Sequence, residues 1–170
     1  MVTKYDIFEL IYKTKAPIKP VDVVRNFNKS EKEYHAIHKQ LRELVSMGLL
    51  RKTKYGFEVE AIRKADILYS IIQHCLKNNV NYNYLLDKNF VAFLSKALQK
   101  EEISSQDADV HPRTFKRYIE ILNRFGLVLI ISRKPLKAKI FYNILLNNLL
   151  IYFNYKHEII TESFRTYNKE

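Results

Sequence analysis

Only three glycines and four prolines occur among the 170 residues. A loop-rich all-β barrel needs many turn residues, so that class is excluded. The single cysteine, Cys75, rules out a disulfide framework and a cysteine-based structural zinc site. No run of about 18 apolar residues is present that could span a membrane. The opening Met1-Val2-Thr3-Lys4-Tyr5-Asp6 is charged and aromatic and carries no signal-peptide pattern, so a cytoplasmic location is expected. Catalytic motifs are also missing. Gly48, Gly56 and Gly126 are too scattered for a phosphate-binding loop, and neither a Gly-x-Ser-x-Gly elbow nor a His-Glu-x-x-His helix occurs. We therefore expect no enzyme and no cofactor.

What is present is enough to fold. Hydrophobic residues make up 47% and charged residues 28% of the chain, ordinary values for a protein with a core. The length suits one large domain or two small ones. The formal charge is +11, from 29 Lys plus Arg against 18 Asp plus Glu, and basic chains attract polyanions. Its distribution says more than its sum. Residues 1–60 hold 12 basic and 8 acidic residues, and residues 61–110 hold 6 of each. Residues 111–140 hold 8 and 1, a net +7, and the last thirty hold 3 and 3. A bias of composition alone would spread more evenly, so the concentration favours a binding surface.

Periodicity and punctuation outline the elements. Thr3 followed by Lys4–Lys13 predicts a helix, and Lys15-Ala16-Pro17-Ile18 a short extended piece. Pro20 suits the first position of a second helix, Val21 to Phe27. Ser30 and Glu33 form a capping box before a third helix, Glu31 to Met47, closed by Gly48. Leu49–Thr53 and Phe57–Glu60 then predict a β-hairpin. A connecting helix, Ile62 to Leu76, ends in the polar Lys77-Asn78-Asn79, whereas Tyr82–Leu86 stays open. Lys88–Gln99 predicts a helix and Glu101–Ser104 a small strand. Ser105 is a candidate cap for a short helix over Gln106–Asp109, and Pro112 opens a helix ending at Gly126. Val128–Ser132 and Ala138–Phe141 flank a basic turn, Arg133–Lys137. Tyr142–Phe164 is apolar and helical in pattern.

The chain also repeats. A shift of 78 residues lays Gly48 on Gly126, and with it Ile37 on Phe115, Leu41 on Ile119, Leu44 on Leu122, Met47 on Phe125 and Leu49 on Leu127. Helix, short strand, helix, helix and hairpin in this order resembles a winged helix-turn-helix domain. The segment Val110-His111-Pro112-Arg113-Thr114-Phe115-Lys116-Arg117, running through Leu122-Asn123-Arg124-Phe125-Gly126-Leu127, resembles the recognition helix of winged-helix transcriptional regulators. His111 departs from the Ser or Thr more usual at that cap. The expected fold is mainly α with small β-hairpins (α+β), two winged units in tandem. The boundaries are a first winged helix at 1–61, a connecting helix and linker at 62–87, a second winged helix at 88–141 and an apolar tail helix at 142–170.

In a helix from Pro112, Phe115, Ile119 and Leu122 face the core, while Arg113, Arg117, Glu120 and Arg124 line another face. A recognition helix presents its N-terminal residues to base edges, which nominates Arg113, Thr114, Lys116 and Arg117, with Arg124 further along. Arginine can bond guanine bidentately, whereas lysine mostly serves phosphates. Arg133, Lys134, Lys137 and Lys139 give the second hairpin a basic wing. In the first copy Lys39, Arg42, Arg51, Lys52 and Lys54 are candidate phosphate contacts, with mixed charge around them that suits plain solvation equally. His35 and His38 share a face but lack the third ligand a metal needs, so no metal site is expected. Cys75, among Ile71, Ile72 and Leu76, reads as a buried small hydrophobe.

Ile140–Tyr155 is apolar on almost every face and must be buried. The resemblance implies dimerisation through such a terminal helix, with Leu146, Leu149, Leu150 and Phe153 as contacts, whereas packing within the chain serves equally well. The expectation is thus a protein that binds double-stranded DNA and regulates transcription, without a membrane partner. A plasmid-type replication initiator and a winged-helix protein-interaction scaffold are the rivals.

Overall fold

The structure, a computed structural model, describes residues 1–155. Contacts divide the chain into two compact units, Met1–Tyr69 and a second beginning at Ser70. Helices dominate both, and each has one small antiparallel sheet. Among the described residues no helix is long and apolar enough to cross a membrane.

The first unit opens with α1 (Lys4–Thr14), which the Thr3–Asp6 capping box starts: the Thr3 N–H donates to Asp6 Oδ2 at 2.7 Å. Pro20 stands at the first position of α2 (Pro20–Asn26). The Ser30 N–H donates to Glu33 Oε2 at 3.3 Å, yet the turn it starts, Glu31–Glu33, is a 3₁₀ helix, and the α-helix α3 covers Tyr34–Ser46. Hairpin strands β1 (Leu50–Thr53) and β2 (Gly56–Val59) follow. The predicted extended piece is the backbone of Ile18, which exchanges two 2.8 Å bonds with Phe57 and so adds a single bridge to β2. This approach is close. A Cβ on Gly56 would lie 2.5 Å from the Ile18 carbonyl oxygen, so no other residue closes the turn there without a shift.

Helix α4 (Arg63–Lys77) runs across the division and ends where Asn79 turns left-handed and the Val80 N–H reaches the Cys75 carbonyl at 3.0 Å. The open segment at Tyr82 is one helical turn, α5 (Tyr82–Leu85), and Asp87 caps α6 (Lys88–Ala97). Strand β3 (Ile103–Ser104), helix α7 (Pro112–Arg124) and strands β4 (Val128–Arg133) and β5 (Leu136–Ile140) complete the repeat, with sheet order β3-β5-β4. Helix α8 (Ile144–Tyr152) follows.

The 78-residue shift carries α3 onto α7 end to end, both 13 residues long. Gly48 and Gly126 take left-handed φ values of 75° and 69°. Behind them the N–H of Leu49 bonds Leu44 O at 3.0 Å, and that of Leu127 bonds Leu122 O at 3.2 Å. The same wrapped helix ending thus feeds each hairpin.

Two expectations need correction and one open alternative closes. No helix forms over Gln106–Asp109, which is a hydrogen-bonded turn, and its cap is Ser104 rather than Ser105. Ser104 donates through both its N–H (3.0 Å) and its hydroxyl (2.8 Å) to Asp107 Oδ2. Only six residues separate Ser104 from His111, and one turn consumes them. The second hairpin is longer and its turn tighter than expected, because Arg133, Leu136 and Lys137 lie in the strands and only Lys134-Pro135 turns. Finally, of the two uses left open for Leu146, Leu149 and Leu150, packing within the chain is the one seen: all three are fully buried, where α8 packs on α6. Phe153 is half-buried. The part of the predicted tail helix beyond residue 155 lies outside the described residues.

Candidate nucleic-acid interface

Helix α7 is held by aromatic packing on one side only. Tyr118 meets Phe90 edge-on at 5.1 Å and Phe93 at 5.0 Å, and Phe115 meets Phe93 edge-on at 6.0 Å. Such pairs contribute about 0.5–1.5 kcal/mol each beyond the area they bury. Ile119, Ile121 and Leu122 complete the buried face. The expected core residues Phe115, Ile119 and Leu122 are therefore in place, and Tyr118 and Ile121 join them. Spacing alone hides Tyr118 because a phenol beside Arg117 looks like surface.

The opposite face is cationic. Arg113, Lys116, Arg117 and Arg124 are all exposed, and Thr114 is half-buried at the edge of the stripe. The lone carboxylate, Glu120, stands 3.9 Å from Lys116. Arg117 is steadied from below, its guanidinium carbon 5.6 Å from the Tyr118 ring centre. Burial raises the Tyr118 pKa and the Asp87 charge adds to this, while the hydrogen bond and charge of Arg117 oppose it.

The helix start is fixed by an unusual cap. His111 takes extended backbone angles, and its Nδ1 accepts the Arg113 N–H at 3.2 Å, with Pro112 behind it at the first helical position. The imidazole thus replaces the Ser or Thr oxygen expected there. It also ties down the backbone of Arg113, the first exposed arginine of the stripe.

The β4–β5 hairpin continues the positive surface. Arg133, Lys134, Lys137 and Lys139 are exposed, and Lys139 Nζ lies 5.7 Å from the Phe141 ring centre. Among the described residues no carboxylate comes within ion-pair distance of Arg113, Arg117, Arg124, Arg133, Lys134, Lys137 or Lys139. Lys137 contributes with Lys100 to lowering the Asp107 pKa, after the two hydrogen bonds from Ser104 that dominate it.

The first unit presents a thinner version. Lys39 and Arg42 are exposed on α3, but Glu43 beside them pairs with Lys4 at 2.5 Å. Arg51 is bonded across the hairpin to Glu58 at 2.6 Å, and Lys54 Nζ lies 4.9 Å from the exposed Tyr55 ring. At the positions equivalent to Arg113, Lys116, Arg117 and Arg124 stand His35, His38, Lys39 and Ser46. His38 is occupied by aromatic contacts, stacked on Tyr34 at 5.9 Å and edge-on to Phe57 at 6.1 Å. Cys75 is fully buried, and that burial pushes its thiol up to about 12.

Comparison with known proteins gives no match: no family model, no curated protein and no solved structure matches this chain.

Proposed function

We propose that the protein binds double-stranded DNA through its second unit and regulates transcription in the cytoplasm. In this reading each unit is a winged helix-turn-helix, α7 enters the major groove, and the β4–β5 hairpin is a wing against the backbone. One observation carries the proposal. An exposed stripe of Arg113, Lys116, Arg117 and Arg124, with a single carboxylate among them, lies opposite a fully buried aromatic and aliphatic face. A rigid helix with basic residues at spacings of three and four suits a groove lined by phosphates, and arginine near its N-terminus suits guanine edges. Arg113 and Arg117 are the proposed base readers. Thr114, Lys116 and Arg124 flank them, and Arg133, Lys134, Lys137 and Lys139 are proposed to meet phosphates. Lys39, Arg42, Lys52 and Lys54 would add weaker backbone contacts, with Arg51 held back by Glu58.

The test is fluorescence anisotropy of the full chain on duplexes selected from random sequence and on an unselected duplex, each at several salt concentrations. The proposal expects a selected site bound more tightly than the unselected duplex, with affinity for both falling as salt rises. Equal, salt-insensitive or undetectable binding overturns it.

A further inference from the structure

Strand β4 is an outer strand of the order β3-β5-β4. Phe141 donates to Leu127 O at 2.8 Å, one step before the Val128–Ile140 pair, so the antiparallel alternation turns the amides of Val128 and Ile130 away from β5. Beside this open edge Leu129 is 51% exposed and Ile131 43% exposed, and Phe141 is 39% exposed on the same side as Lys139. Lys139 is the cross-strand partner of Leu129 and Lys137 that of Ser132, so both exposed lysines share the face of Leu129. The register shifts between Ile130 and Ser132, and Arg133 pairs with Leu136 at the turn.

The repeat supplies an internal control. Moving back 78 residues, Leu129, Ile130 and Ile131 become Arg51, Lys52 and Thr53 of β1, which is the outer strand of the first hairpin. Charged residues on an outer strand are the usual guard against unwanted pairing. The first hairpin has this guard, and the second has apolar side chains in its place, its regular edge running from Val128 to Ile130 before the register shifts ahead of Ser132. A surface that meets only water or phosphate gains nothing from Leu129 and Ile131.

We propose that β4 is a docking edge for an extended, acidic peptide segment of a partner protein, which adds to the sheet as a fourth strand. Backbone bonds to Val128 and Ile130 hold the segment, its alternate apolar side chains lie beside Leu129 and Ile131, and its carboxylates meet Lys137 and Lys139. Charge decides against a second copy as the occupant, because pairing β4 with itself brings together two segments that each carry 8 basic and 1 acidic residue in 30. This inference goes beyond the DNA reading, whose base contacts rest on α7, and it shares Lys137 and Lys139 with the proposed wing.

The experiment titrates the full chain with a fluorescent peptide of sequence Glu-Val-Glu-Ile-Glu-Val-Glu. Its controls are the same peptide with Lys for Glu and one N-methylated at alternate residues. Variants Leu129→Arg and Ile131→Thr copy the guarded first hairpin, and circular dichroism and melting check their folding. We expect the acidic peptide to bind, both controls to bind about tenfold more weakly or worse, and Leu129→Arg to lose peptide but keep duplex DNA. Equal binding of the N-methylated peptide overturns strand addition. Self-association that Leu129→Arg abolishes makes a second copy the occupant and overturns the proposal. A parallel loss of duplex binding in Leu129→Arg assigns the edge to nucleic acid, with the same consequence. Should a folded Leu129→Arg bind the peptide as the parent does, Ile131→Thr decides: unchanged binding there too removes β4 as the site. Failure of the DNA reading alone shows as absent duplex binding in the parent while the peptide still binds.

Discussion

The Tyr12 hydroxyl donates to Asp66 Oδ1 at 2.7 Å, and its ring stacks on Tyr69 with centres 3.9 Å apart. That bond first, then burial and the Asp66 charge, hold the Tyr12 pKa up to about 12 from an ordinary 10.0. A pKa raised by folding contributes stability that is whole below the unfolded value and is lost as pH climbs through the folded one. Tyr12→Phe should therefore cost about 0.5–1.5 kcal/mol near neutrality and show a flatter decline between those two pH values. Urea melts on both sides of the window measure it, and a parallel decline in parent and variant assigns the alkaline loss elsewhere. His111 offers a second test. His111→Ala should lower stability by about 1 kcal/mol, and His111→Ser should recover most of it, since any short acceptor serves a helix N-terminus. Thermal melts check this, and no loss in the alanine variant means the 3.2 Å bond contributes nothing. Caps such as Thr3 and Ser30 with Glu33 are legible in the sequence because partner and backbone lie within three residues. The cap position of His111 is legible too but its bond is not, because the imidazole can cap only in the rotamer that turns Nδ1 toward Arg113.

At the scale of elements, the stripe on α7 and the basic hairpin make separable predictions. Charge reversal of Arg113 and Arg117 should weaken duplex binding more than reversal of Lys39 and Arg42, because Glu43 and the contacts of His38 dilute the face of α3. Anisotropy on one selected duplex compares them, and equal losses reverse the assignment of the units. Neutralising Lys134 and Lys137 should weaken selected and unselected duplexes alike. It should also flatten the slope of log K against log salt by about 0.9 for each phosphate that the hairpin no longer neutralises. An unchanged slope removes the hairpin from the interface. Elements are most legible where apolar spacing and a terminal glycine agree, as in α3 and α7. They are least legible between Ser104 and His111. Two adjacent serines offer rival caps there, and only the reach of Asp107 to Ser104 decides between a turn and a helix. The strand ends around Lys134-Pro135 escape the sequence for a related reason: basic residues in a row look like loop until a partner strand takes them up.

For the whole molecule, the all-apolar pattern of α8 announces burial without naming what covers it. The answer is α6 of the same unit, so Leu149→Ala should cost about 2–5 kcal/mol of stability while leaving the mass by light scattering unchanged. A fall in mass with little loss of stability would restore an interface between copies. The exposure of Leu129 and Ile131 is equally out of reach, because a strand of Val-Leu-Ile-Ile looks buried until the order of the sheet is known. The match of α3 with α7 has its own consequence for how this sequence can change. Between His111 and Gly126 the chain behaves as a spacer of fixed length. A point substitution alters one side chain, but one added or removed residue rotates all that follows by roughly 100° and carries Arg117 or Arg124 toward the aromatic packing. A library scanning this stretch should tolerate many exchanges on the exposed face and almost no insertion or deletion.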